Sequence, residues 1–157
     1  MKLHKVINLL IVFLFVLFFS ASLHEFFHYI VGTALGGKGL YVTYPSFFTG
    51  LCQWPTPFPH MWLAYLAGGL GSGLVLLVLA LRAVKTPTKW DADEAFIFSI
   101  FGGVGIGYGF AELSLAFPST EHYFWWLSFI GCFIGGMPFA IWRGPKFVDF
   151  LLKDEAT

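Results

Sequence analysis

Charged residues are scarce in this chain. Of its 157 residues only 11% are Asp, Glu, Lys or Arg, whereas 57% are hydrophobic and 20% are aromatic. Soluble domains usually carry about twice that share of charge, so the composition excludes an ordinary soluble protein and predicts an integral membrane domain in contact with lipid. The formal net charge of zero also argues against a nucleic-acid partner, which would require an excess of basic side chains.

Cysteine is nearly absent as well. Cys52 and Cys132 are the two cysteines, and they form neither a C-x-x-C metal motif nor the framework of several disulfides that holds small secreted domains together. The sequence contains no internal repeat and no second compositional region. We therefore expect a single domain over residues 1–157.

Four apolar stretches reach the roughly 20 residues that a helix needs to cross a bilayer. The predicted spans are 6–35, 61–84, 95–117 and 123–142. The first is roughly 30 residues, or about 45 Å, and should end at Gly36-Gly37. Because only one connection is long, the spans predict an all-α four-helix transmembrane bundle.

The long connection, residues 38–59, is rich in Pro, Gly and aromatic residues. Its segment Leu40–Tyr44 has the composition of a strand and is followed by Pro45, which indicates a short hairpin or a re-entrant segment at the membrane interface. Two interpretations follow. The segment is either an edge strand that pairs with an extended peptide or a plain interfacial loop with its aromatic side chains at the level of the headgroups.

Basic residues are distributed unevenly between the two ends of the predicted spans. They lie before the first span, after the second and after the fourth, whereas Lys38 alone lies at the other end. By the positive-inside rule, both termini are expected in the cytoplasm and the long connection outside it. The residues concerned are Lys2, Lys5, Arg82, Lys85, Lys89, Arg143, Lys146 and Lys153.

The first span contains the sequence His24-Glu25-Phe26-Phe27-His28, an H-E-x-x-H pattern. Residues four apart share one face of a helix, so the two imidazoles can hold one zinc ion while Glu25 reaches a water molecule on it. Ionisable side chains at membrane depth cost on the order of 2.5–3.5 kcal/mol each, so three within five residues indicate a functional site. The alternatives are a hydrogen-bonded polar cluster that joins helices, or the relic of a zinc site.

A catalytic zinc site needs a third protein ligand and an open position for water. Glu112 is the one carboxylate within a predicted span outside the motif. The first and third spans run in the same direction, and His24 and Glu112 lie at about the same depth, roughly 26 Å along each helix. We expect Glu112 to be the third ligand; the alternative for it is a hydrogen bond to Tyr108 or to a serine. Candidates that we rank lower, in loops or at helix starts, are His60, Glu121 and His122.

Small and acidic residues flank the later spans. The stretch from Leu66 to Gly73 carries small residues at three- and four-residue spacing, which allows close packing between helices and need not be a nucleotide-binding loop. Asp91, Asp93 and Glu94 precede the third span. The helix macrodipole favours negative charge at a helix start, so we predict a capping role for these carboxylates rather than metal binding.

These motifs resemble those of the site-2-protease superfamily of membrane zinc metalloproteases, in a minimal form. The resemblance lies in the H-E-x-x-H pattern late in an apolar helix, in Gly36-Gly37 after it, and in Ala67-Gly68-Gly69-Leu70 near the start of the next. It covers about the first 80 residues. The chain departs from the family in having Phe27 where glycine is usual and in lacking the Asp-Gly dipeptide that supplies the third ligand.

The resemblance implies an intramembrane zinc metalloprotease that cleaves a membrane-protein or peptide substrate. His24, His28 and Glu112 would bind Zn²⁺, and Glu25 would act as general base. The competing interpretation is a non-catalytic subunit of a larger membrane complex that keeps a structural or vestigial metal site. A role in handling or transporting metal would use the same residues.

Overall fold

In the computed structural model, residues 3–38, 41–46, 49–85, 91–117 and 119–152 are described. Four long helices dominate them. They are α1 (Leu3–Ala34), α2 (Met61–Lys85), α3 (Asp91–Glu112) and α4 (Phe124–Leu152). Two strands, β1 (Tyr41–Ser46) and β2 (Thr49–Gln53), lie between α1 and α2, and two short 3-10 helices, Leu113–Ala116 and Glu121–Tyr123, connect α3 to α4.

The predicted four-helix bundle is confirmed. Four helices among the described residues are long and apolar enough to cross a membrane. Many large apolar side chains of α1 and α4 are exposed on the outside of the bundle, as expected of surfaces that face lipid rather than water. Composition and architecture together describe a multi-pass membrane protein.

Helix α1 ends as its glycines predict. Gly36 has φ of +92°, a left-handed conformation that glycine adopts without steric cost. The amide of Gly37 donates to the carbonyl of Gly32 at 2.9 Å, which closes the helix with the hydrogen bond of a Schellman motif. The chain therefore leaves the helix two turns after His28, and the long connection begins close to the H-E-x-x-H motif.

The long connection contains a hairpin, one of the two forms that its composition indicates. Strands β1 and β2 pair antiparallel, with Tyr41 opposite Gln53 and Val42 opposite Cys52. The register becomes irregular between Thr43 and Ser46, where Pro45 cannot donate a ladder hydrogen bond. The indole of Trp54, directly after β2, lies in the space left by glycines at the end of α1, so the hairpin is attached to that helix.

Helix α3 lies at the centre of the bundle, between α2 and α4, and glycines let the backbones touch. A Cβ atom on Gly69 of α2 would overlap the backbone of Gly105 and Gly109, and one on Gly107 would overlap the carbonyl of Gly131 in α4. Small residues at such interfaces are the usual means of close helix packing in membranes. The packing role predicted for the Leu66–Gly73 stretch is confirmed, and the glycines of α3 pack against α2 and α4.

The apolar core lies between α1, α2 and α3. Val16, Leu76 and Ile97 are its buried members, one from each helix, and each is at most 5% exposed. This cluster occupies the half of the bundle that contains the N-terminus of α1. It fixes α1 against α3 below the H-E-x-x-H motif.

Helix α4 continues ten residues beyond its predicted end, from Trp142 to Leu152. Pro145 lies inside it, although proline usually ends a helix. Contacts with the rest of the bundle stabilise the extension. Phe147 stacks on Phe96 with ring centroids 4.2 Å apart, and Lys5 Nζ donates to the carbonyl of Phe150 at 2.9 Å.

The start of α3 also differs from the prediction. The helix begins at Asp91, four residues before the predicted boundary, so the predicted capping residues fall in its first turn. The helix macrodipole favours carboxylates at that position. The side chains of Asp91 and Asp93 lie outside the described part of the structure.

Gly107 and Gly105 provide a matched test of the glycine packing. Gly107→Ala should lower the free energy of unfolding by about 1–3 kcal/mol, because the added methyl group would overlap the carbonyl of Gly131. Gly105→Ala should lower the free energy of unfolding clearly less. The Cβ atom that it adds would lie 3.3 Å from its nearest neighbour, the Cα of Gly73. Thermal unfolding in detergent, followed by circular dichroism, measures both. Equal midpoints for the two variants would contradict this account of the α3–α4 interface.

Candidate metal centre

The two histidines of the motif lie on one face of α1, as their spacing predicts. Their Nε2 atoms are 2.9 Å apart, and their rings meet edge to face with centroids 4.5 Å apart. His28 is buried and His24 is partly exposed. Both rings point between α1 and its neighbours, so their nitrogens converge inside the bundle.

The orientation of His28 is fixed from behind by α2. Its Nδ1–H donates to the backbone carbonyl of Ala64 at 2.6 Å. Since a carbonyl can only accept, Nδ1 carries a hydrogen, and in the neutral ring Nε2 then presents its lone pair to the site. A hydrogen bond of this kind from the far ring nitrogen to a backbone carbonyl is typical of histidines that bind metal.

Glycines of α2 provide the space for the motif. A Cβ atom on Gly68 would overlap the imidazole of His28, and one on Gly71 would overlap the ring of Phe27. Gly71 on the facing helix thus leaves space for the phenyl ring of Phe27.

Glu112 lies at the end of α3 against both histidines. Its Oε1 is 3.0 Å from Nε2 of His24 and 3.4 Å from Nε2 of His28. Glu112 is buried, and its other oxygen, Oε2, has no hydrogen-bond partner among the described residues. The structure thus brings together the three side chains that the sequence proposes as ligands, and Glu112 contacts the histidines rather than Tyr108 or a serine.

The three converging atoms carry too few hydrogens to form a hydrogen bond at every one of these short distances. With Nε2 of His28 offering a lone pair, a single N–H on Nε2 of His24 can point fully either at His28 or at Oε1 of Glu112, but not at both. The remaining acceptors then face each other across 3.4 Å or less. Such an arrangement requires positive charge at its centre, supplied by an additional proton or by a metal ion.

The separations between these atoms suit a small metal ion. In a tetrahedral site with bonds of about 2.0–2.1 Å, ligand atoms lie about 3.3 Å apart. The observed separations run from 2.9 Å between the histidines to 3.4 Å between His28 and Glu112. Two imidazoles and one carboxylate are also a ligand set found in catalytic zinc sites. The residues present therefore fit a metal ion of this type.

Glu25 completes the polar group. It is buried, and one ligand atom each from His24, Glu25 and His28 can be chosen so that all lie within 4.8 Å of one another. This group of three could hold a metal ion.

The lower-ranked candidates lie in other places. His60 directly precedes α2 with φ of 58°, whereas Glu121 and His122 belong to the 3-10 helix before α4. The ring of His122 packs on Tyr123 with centroids 3.8 Å apart. Among the described residues, none of these three belongs to the group at His24 and His28 that could hold a metal ion.

Sequence reasoning missed two contributors to the site. The carbonyl of Ala64 is a backbone atom, which every residue possesses, so no sequence pattern indicates its role. Gly68 belongs to the Leu66–Gly73 stretch, whose small residues predict helix packing, but it also makes room for His28. The signal available for Gly68 was its place in the Ala67–Leu70 stretch that resembles the protease family.

Comparison with family models, with curated proteins and with solved structures finds no match for this chain.

Proposed function

We propose that the protein is an intramembrane zinc metalloprotease that hydrolyses peptide bonds of membrane-associated substrates. The observation that carries the proposal is the convergence of His24 Nε2, His28 Nε2 and Glu112 Oε1 within 3.4 Å of one another, from helices whose positions in the sequence are far apart. The resemblance of the motif to those of site-2 proteases supports the same chemistry.

In this proposal three residues of the site hold the ion, and a fourth transfers protons. A zinc ion held by His24, His28 and Glu112 would supply Lewis acidity, which acidifies water and polarises a peptide carbonyl. Glu25 accepts the proton of the attacking water and returns it to the nitrogen of the departing amine. Ala64 keeps the ring of His28 in the tautomer that binds metal.

The surroundings of the site favour a peptide as substrate. The hairpin leaves α1 two turns after His28 and is held there by Trp54, whose indole lies against Gly32 and Gly37. A helical substrate must unwind locally before a peptide carbonyl can reach the histidines, because its carbonyls are bonded within the helix. An edge of the hairpin is suited to hold the unwound segment by main-chain hydrogen bonds.

Glu25→Gln is the decisive test of this proposal. The substitution removes the base but keeps the shape of the side chain, so we expect the zinc content to stay at the wild-type level and peptide cleavage to fall by about 10²–10⁴-fold. The protein would be reconstituted in lipid nanodiscs with a set of membrane-spanning peptides, with products identified by mass spectrometry and metal by elemental analysis. The exposed Glu121, changed to Gln, is the matched control and should cleave as the wild type does.

Other outcomes favour the competing functions. Full zinc occupancy without cleavage by the wild type would contradict the protease and favour a non-catalytic subunit of a membrane complex. Exchange of zinc across a sealed membrane without cleavage would favour metal transport. Absence of bound metal would overturn every function that depends on the ion.

We further propose that both termini are cytoplasmic and that the hairpin lies outside, on the basis of the uneven distribution of lysine and arginine. In a Cys132→Ser variant, Cys52 in β2 is the remaining cysteine. An impermeant thiol reagent added to intact cells should label it. Labelling only after the cytoplasmic side is opened would reverse the orientation.

A further inference from the structure

Tyr108 lies beside the histidines without a part in the roles described above. It is on α3, four residues before Glu112, so the two side chains share one face of the helix one turn apart. Its ring is inclined to that of His24 with centroids 5.5 Å apart. The side chain is half-buried, and Phe124 at the start of α4 packs against its ring.

The side chains assigned so far offer no hydrogen-bond donor to the substrate carbonyl, and such a donor would add to the polarisation that the ion supplies. When water adds to the peptide carbonyl, negative charge develops on the carbonyl oxygen, and a preorganised hydrogen-bond donor at that oxygen accelerates the reaction. Glu25 and Glu112 are acceptors when ionised, and the Nε2 atoms of the histidines are committed to the ion. A further donor is therefore expected near the site.

Two tyrosine rings contact the histidines among the described residues, and their positions distinguish them. Tyr65 packs on His28, next to Ala64, whose carbonyl holds the back of that imidazole. Tyr108 packs on His24, whose side chain is 13% exposed against 5% for His28. His24 is therefore the more accessible histidine of the pair, and Tyr108 lies beside it.

We propose that the hydroxyl of Tyr108 donates a hydrogen bond to the carbonyl oxygen of the substrate as that oxygen becomes negatively charged. The inference rests on the proposed proteolytic function and names a further catalytic residue for it. The water oxygen forms a bond to the carbonyl carbon, and the carbon–nitrogen bond then breaks. Glu25 carries the proton from water to the amine nitrogen, while Tyr108 keeps its own proton throughout.

Tyr108→Phe keeps the ring against His24 and removes only the hydroxyl, so it separates hydrogen bonding from packing. We expect kcat for a cleaved peptide to fall by about 10²-fold or more, with KM and zinc content unchanged. The matched control is Tyr29→Phe, which makes the same change at an exposed position on α1 and should leave kcat as it is.

A binding measurement provides a second readout that does not depend on turnover. A phosphinic peptide, which imitates the tetrahedral stage of the reaction, is titrated into Glu25→Gln protein with and without Tyr108→Phe. We expect Tyr108→Phe to weaken binding of the phosphinic peptide by about 10²-fold and to leave the affinity for the uncleaved substrate peptide unchanged. The reason is that the hydrogen bond strengthens only as charge develops on the oxygen.

The possible results distinguish this inference from the proposed function. Cleavage by the wild type together with equal kcat and equal phosphinic-peptide affinity in Tyr108→Phe would overturn the role of Tyr108 alone. Loss of zinc in Tyr108→Phe would show a structural role and overturn it as well. Absence of both cleavage and phosphinic-peptide binding in the zinc-loaded wild type would overturn the protease and the role of Tyr108 together.

Discussion

His28→Ala should abolish specific zinc binding. The substitution removes one of the three proposed ligands. It also removes the hydrogen bond from His28 to the carbonyl of Ala64, which fixes the geometry of the site. Loss of a supporting hydrogen bond alone costs about 10–100-fold in metal affinity, so we expect the loss of a ligand to exceed about 100-fold. Elemental analysis of purified protein, followed by titration of the metal-free protein with Zn²⁺, measures the effect.

Glu25→Gln and Tyr29→Phe serve as controls for this variant. Glu25 is part of the motif but is not proposed as a ligand, so its amide variant should keep zinc; Tyr29 is the exposed neighbour of His28. Equal zinc occupancy in the wild type and His28→Ala would show that the histidines do not hold the ion. The polar group would then be a hydrogen-bonded junction between helices.

Glu112→Gln should weaken zinc binding by more than about 100-fold as well, by the same comparison with supporting groups. We expect an oxygen of Glu112 at about 2 Å from the ion, the usual zinc–carboxylate distance. The amide keeps the size of the side chain but loses its charge, and its nitrogen cannot act as a ligand when it faces the ion. Zinc titration in nanodiscs measures the loss, and X-ray absorption at the zinc edge measures the distance.

Glu121→Gln is the matched control, because it makes the same chemical change in an exposed carboxylate near the end of α3. Its zinc affinity should match that of the wild type. Wild-type affinity in Glu112→Gln, with weakened binding in His122 or His60 variants, would show that the ion is held at the membrane interface. Depth within the helices would then be the wrong criterion for selecting ligands.

Much of this architecture follows from apolar length and small residues. The four helices and the glycine termination of α1 are predictable because each rests on local chemistry: hydrophobic runs long enough for a bilayer and a left-handed residue at Gly36. The proximity of Glu112 to His24 follows from counting the rise along two helices that run in the same direction. That count works because a helix has a constant rise per residue.

The extension of α4 could not be predicted in this way. From the local sequence, Arg143, Pro145 and Lys146 together indicate the end of a helix. The stacking of Phe147 on Phe96, by contrast, depends on the neighbouring helix. Tertiary contacts of this kind override local preference. The same holds for Ala64 and Gly68, whose roles depend on which residue of α1 faces them.

Helix α1 carries two of the three proposed ligands, although most of its surface is exposed. His24 and Glu112 are 88 residues apart in the sequence, so an ion shared by them would close a long loop of the chain. A ligand that binds only the folded site stabilises the folded protein by mass action. The ion would therefore act as a detachable cross-link between α1 and α3, and removing it with a chelator would lower the free energy of unfolding of the bundle.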